Sequence, residues 1–131
     1  ENESRDQMAF SADWFPTLLA WCGAPPASHK IDGKDLTAVV ESDEAPSPHT
    51  TLHWLHGQHW AVREGDWKLV HNGPKVNWEG REVESDTVLL VNVREDPGEI
   101  HNLAHLHPEV VERLTRLHEE WRRDVSENQE T

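Results

Sequence analysis

Cysteine is nearly absent from this sequence: Cys22 is the one thiol in 131 residues. One thiol cannot close an internal disulfide, so the fold has to hold without one, and the count says little about redox compartment. Positive charge is scarce too. Twelve Lys and Arg stand against 25 Asp and Glu, a formal charge of −13, and no basic cluster reverses this locally. Such a surface repels nucleic acid and anionic membranes, and neither is an expected partner. No apolar run approaches the ~20 residues of a membrane span. The opening ENESRDQMAF has no positive stretch followed by an apolar one, so it does not read as a signal peptide. It also lacks an initiator Met, and the expectation is a processed or excised piece.

Apolar residues are few as well, at 35% of the chain. That is low for a self-sufficient globule. Seven Trp offset the shortage in part, because each can bury a large surface. A chain of this size buries roughly two-thirds of the surface it exposes when unfolded. The expectation is one modest body of structure with a thin core, which a partner surface would help to complete.

Residues 13–23 read as a helix. Asp13 is placed to cap it, and Pro16 falls in the first turn, where its missing N–H is harmless. Trp14, Phe15, Leu18, Leu19 and Cys22 make one apolar stripe at helical spacing. Gly23 suits the position just past the end. On that stripe Cys22 reads as a small buried hydrophobe, since no general base lies near it in sequence. Residues 24–49 read as loop, with an Asp32-Gly33 turn and a short helical or extended piece at LTAVV. The proline-rich SDEAPSPH is a connection between two structural units.

TLHWLH and HWAVREGDWKLV, within residues 50–71, read as strands, with Gly65 supplying the dihedral that a hairpin turn needs. Residues 72–86 form a long turn-rich insertion. TVLLVNV, 87–93, is a continuous apolar strand, which implies burial on both faces. Asp96-Pro97-Gly98 is a tight turn in which Gly98 takes the unusual dihedral. Residues 108–124 make the strongest helix, with Pro108 at its first position and Val110, Leu114, Leu117 and Trp121 along one face. Glu109–Arg113, Glu112–Arg116 and Glu119–Arg123 are possible i,i+4 pairs. The last residues, SENQET, are expected to fray. The order of helix, loop, strands and helix predicts an α+β fold: a small antiparallel sheet of about four strands with a C-terminal helix packed on it.

Four segments, in order, resemble the C-terminal end of the formylglycine-dependent sulfatases, the arylsulfatase family. DWFPTLLAWCGAPP resembles that family's Asp-aromatic-Pro-Thr helix, and IDGKDL the Asp-Gly loop after it. HWAVREGDWKLV is similar to its Gly-Asp-Trp-Lys hairpin. VLLVNVREDPGEIHNLAHLHPEVVERL is similar to its strand, Asp-Pro-Gly-Glu turn, Asn-Leu-Ala segment and closing helix. The resemblance spans about residues 11–121. It implies that 1–48 is the tail of the family's large α/β domain, including the helix at 13–23, and that 49–131 is its C-terminal subdomain.

The family's chemistry, as the resemblance implies it, uses calcium and a formylglycine made from Cys or Ser in C/S-x-P-x-R. This sequence has no such motif: Cys22 is followed by Gly23-Ala24-Pro25, and Ser47-Pro48-His49 also fails. No segment matches the family's acidic calcium ligands or its catalytic Lys and His segments. No catalytic residue, metal ligand or cofactor is therefore expected in this chain. Its expected role is to complete the fold of a sulfuric ester hydrolase and edge its substrate cleft. The implied partners are the missing N-terminal catalytic domain, or a second copy, and a sulfated small molecule or glycan in the full enzyme. Family members are often periplasmic, secreted or lysosomal, but this sequence assigns no compartment.

The candidate substrate-binding residues are His53, His56, His59 and Trp78. His53, His56 and His59 have the spacing H-x2-H-x2-H, but residues three apart on a strand point to opposite faces, which argues against one shared metal ion. An imidazole can instead donate to a sulfate ester or a sugar hydroxyl, although structural or solvent-facing roles remain the simpler reading. Trp78, in the polar insertion, is the Trp expected at the surface. Trp60 and Trp67 are expected to pack on each other or on the closing helix. Lys68 reads as a solvated strand residue. Two rival readings stand beside the sulfatase one: a stand-alone, Trp-rich carbohydrate-binding or interaction module, and a phosphatase-type hydrolase of the same superfamily.

Overall fold

The structure, a computed structural model, describes residues 3–84 and 86–127. It divides into two compact units, Glu1–Thr50 and Thr51–Thr131.

In the first unit a 3-10 turn, Ser11–Asp13, leads into helix α1, Trp14–Trp21, and a second short helix, α2, spans Thr37–Glu41. Gly23 ends α1 at φ 65°. The Gly23 and Ala24 N–H groups donate back to the Ala20 and Leu19 carbonyls, which satisfies the helix's last acceptors. Asp13 does not cap α1. Its own backbone is already helical (φ −67°, ψ −25°), so its carboxylate points inward instead of over the first turn. There it accepts from the Phe10 N–H, the Lys34 N–H and His49 Nε2, each at 2.8 Å. One turn on, the Thr17 hydroxyl donates to the Asp13 carbonyl (2.6 Å) and accepts from the Leu36 N–H (2.8 Å).

These polar ties draw the following loop against α1. Gly33 is close to the helix: a Cβ there would lie 2.2 Å from the Ala12 carbonyl oxygen. That is a backbone clash no rotamer relieves, so Gly33→Ala is expected to lower the stability of this unit by about 1–3 kcal/mol, read by urea titration. Gly33 is thus needed for close approach.

The second unit holds an antiparallel sheet in the order β1 (Thr51–His56), β2 (His59–Glu64), β3 (Trp67–His71), β4 (Val88–Asn92), followed by helix α3, Pro108–Glu127. This is the expected α+β architecture. Gly57 and Gly65, at φ 60° and 58°, turn the two hairpins. The register aligns His53, Val62, Leu69 and Leu90 across one face. Val62, Leu69 and Leu90 form the core there with Val110 and Leu114 of α3. Trp54, Ala61, Val70 and Leu89 align across the opposite face.

Leu89, Leu90 and Val91 are all buried, so β4 is enclosed on both faces although it is an edge strand. Its open edge is closed by Asn102, whose side chain accepts from the Leu90 N–H (3.1 Å) and donates to the Val88 carbonyl (2.8 Å). The Leu103 N–H adds a bond to the Leu90 carbonyl (2.8 Å). A side-chain amide thus stands in for a neighbouring strand.

Several local expectations change. The positive φ of the Asp96 turn falls on Glu99 (54°), not on Gly98. Asp96 makes this possible by accepting from the Ile100 and His101 N–H groups (2.7 and 2.8 Å). Gly98 is instead tight against Arg81, whose guanidinium would lie 2.9 Å from an added Cβ. Arg113 reaches across to Glu64 of β2 (2.8 Å), and Glu109 lies 3.5 Å from His107. Helix α3 runs on through Ser126 and Glu127; the rest of the tail expected to fray, 128–131, lies outside the described residues.

Candidate functional site

The sheet face opposite α3 carries a two-part concavity. One part, about 370 Å³, lies between the sheet and the 72–86 insertion, with Trp54, Lys68 and Val70 on the strands and Val76 and Trp78 on the insertion. A second part, about 580 Å³, shares Trp54, Ala61, Val70 and Pro74 with the first and continues past His56 and His59. The bridge between Val76 and Glu82, and the Asn77 side chain donating to the Gly98 carbonyl (2.9 Å), hold the insertion in shape.

Lys68 is not a freely solvated strand residue. It sits half-buried in the groove, with its ammonium 2.6 and 2.7 Å from the two Glu99 oxygens. The Lys68 charge also lies 6.0 Å over the Trp54 ring. The groove therefore offers aromatic and aliphatic walls with one internally neutralised ion pair. Such a lining suits the apolar face of a ring more than a bare anion.

The structure brings three of the four predicted site residues to this groove and separates the fourth. Trp78 is 84% exposed on the rim. His56 and His59 line the second part, where His59 Nδ1 lies 2.6 Å from the Asn72 carbonyl. His53 faces α3 instead, stacked on Trp121 at 4.9 Å. Its period-two position on β1 decides this, and burial lowers its affinity for a proton. Trp60 and Trp67 pack toward the closing helix, on His118 (4.3 Å) and His107 (5.0 Å). Among the described residues no group of three or more His, Cys, Asp or Glu is placed to hold one metal ion.

Helix α1 of the first unit is inverted. Asp13 and Thr17 are 0% exposed, whereas Trp14, Phe15, Leu18 and Trp21 are 48–52% exposed. Cys22, expected to be buried on that stripe, is exposed with it. The unit is held through the polar side of the helix, which leaves the apolar side outward.

No family model matches the chain. An uncharacterized sulfatase of Schizosaccharomyces pombe is 28% identical over 129 residues, covering 88% of this chain and 21% of its own length. Among solved structures, a "6S-sulf" protein from work on glycosaminoglycan metabolism by Bacteroides thetaiotaomicron is 25% identical. It superposes with a TM-score of 0.59 over 82% of this chain and 24% of its own. A second, solved in complex with its substrate D-glucosamine-2-N,6-O-disulfate, shares the fold at 23% identity and TM-score 0.57, over 88% of this chain and 24% of its own. The chain thus spans about a fifth to a quarter of the length of the relatives it matches. Its similarity is to sulfatases, over a part of their length consistent with a C-terminal portion.

Proposed function

We propose that this chain is the C-terminal subdomain of a sulfuric ester hydrolase, which completes the fold and edges the substrate cleft without supplying catalytic groups. The observation that carries this is the inverted helix α1. Two Trp, a Phe and a Leu half-exposed along one face form an apolar patch of the kind that marks an interaction surface. In this reading the patch is the seat of the large catalytic domain. The same reading supplies the substrate class, a sulfated sugar, by analogy with the disulfated glucosamine bound by one structural relative.

Calcium and formylglycine belong, in this proposal, to the part of the enzyme outside this sequence. The residues present do not fit either group. The motif that yields formylglycine does not occur, and the described residues converge on no metal site. No step of sulfate-ester cleavage is assigned to them. The purified chain is expected to release no product from an aryl sulfate; turnover that scales with its concentration would overturn the proposal.

Paired substitutions Trp14→Ser and Leu18→Ser address the patch directly. Both side chains point outward, so the fold is expected to tolerate them. Self-association of the isolated chain, followed by sedimentation velocity, is expected to fall sharply. An unchanged association constant would remove α1 as the docking face. The carbohydrate-module reading has exposed Trp78 in its favour, but it leaves the α1 patch without a purpose.

A further inference from the structure

Between α3 and the sheet, three histidines and two tryptophans make one continuous set of ring contacts. His118 of α3 lies flat on Trp60 of β2 (4.3 Å, 11°), and Trp60 also stacks with His71 of β3 (5.2 Å, 2°). His53 of β1 stacks on Trp121 of α3 (4.9 Å, 3°), with His118 5.6 Å from His53 and 5.4 Å from Trp121. His118 is 1% exposed. Neither of its ring nitrogens has a hydrogen-bond partner, nor does Nδ1 of His53.

Buried polar groups are almost always paired, so an imidazole with both nitrogens empty calls for a reason. We infer that His118 and His53 form an acid-sensitive clasp: protonation of His118 loosens α3 from the sheet and uncovers Trp60 and the Val62–Leu69 core. The neutral ring is tolerated because it behaves as a flat, nearly apolar slab between tryptophans. A proton would add a charge and a second N–H with no acceptor in reach.

His53 faces it from β1 and Arg122 lies on its own helix, and both disfavour a proton on it. His71 shares the Trp60 ring from β3. No carboxylate pairs with His118 or His53 among the described residues. Burial first, then His53 and Arg122, push His118 down to about 4. In the unfolded chain a histidine titrates near ~6.5. The folded state therefore favours the neutral ring, and this contribution is whole above the unfolded value and is lost as pH falls toward about 4. Across that window the folding equilibrium is expected to shift by on the order of a hundredfold through this residue.

The test combines a titration with two variants of the full chain. NMR of the wild-type imidazole carbons is expected to show His118 titrating well below the ordinary histidine value, with its midpoint rising in His53→Phe. Urea unfolding at pH 7.5 and 4.5 is expected to show a marked acid loss in wild type that His118→Phe, which keeps the ring stack, largely removes. The inference is overturned if His118 titrates near 6.5 in the folded chain, or if His118→Phe loses as much stability in acid as wild type. Stabilisation of wild type, but not of His118→Phe, by zinc at pH 7.5 would also overturn it, because the empty nitrogens would then be ligands. Should His118→Phe not fold, the wild-type titration and His53→Phe still decide.

Discussion

Asp13→Ala is expected to unfold the first unit. The Asp13 carboxylate is wholly buried and holds three donors at once: two backbone N–H groups and the His49 ring. Removing it leaves all three without that acceptor, the two amides part-buried and the His49 ring buried. Breaking a buried pair by deleting one member costs roughly 3–5 kcal/mol, and the two orphaned amides add to that. The Lys34 and Leu36 amides report it best, since both are fixed to α1 by these side chains. Their hydrogen-exchange protection is expected to collapse in Asp13→Ala. His49→Ala is expected to cost less, because the carboxylate keeps both backbone donors. Protection unchanged within ~0.5 kcal/mol in Asp13→Ala would mean that the loop is held by its apolar residues alone, contrary to the polar anchoring described above.

Leu114→Ala is the counterpart in the second unit. Leu114 is fully buried against Val62, Leu69 and Leu90, at the centre of the contact between α3 and the sheet. Truncation there is expected to cost ~2–5 kcal/mol, the transfer loss plus the cavity left behind. Leu106, exposed just before the helix, serves as the control. Leu106→Ala is expected to stay within ±0.5 kcal/mol. Urea midpoints for the two variants measure the difference, and equal midpoints would mean that α3 is not seated on this core.

Where periodicity was strong, the sequence read well. The runs TLHWLH and HWAVREGDWKLV, the Gly65 turn and the unbroken apolar run of β4 predicted a small antiparallel sheet, because a hairpin leaves its strands little topological freedom. The stripe of α3 is visible too, along Val110, Leu114, Leu117 and Trp121. His118, four residues after Leu114, belongs on the buried line, and its polar name hid it. Helix α1 carries its apolar stripe outward, as expected of a piece whose neighbouring surface is absent, although Cys22 was expected to be buried. What could not be read is its buried side, Asp13 and Thr17, because a long-range network that no local pattern reveals fastens the following loop there. The Lys68–Glu99 pair was hidden for a similar reason: 31 residues separate the partners. Of the predicted site residues, simple strand alternation places His53 on the face opposite the groove. Trp78 was legible as an exposed ring in a polar insertion.

Reading the transcript across the codon for Glu1 tests the central claim most directly. The account predicts one open frame continuing upstream and encoding a Cys or Ser followed by x-Pro-x-Arg, the source of the missing nucleophile. A start codon immediately before Glu1, with a stop codon in frame above it, would contradict the account. The chain would then need another explanation for a helix that turns its tryptophans outward.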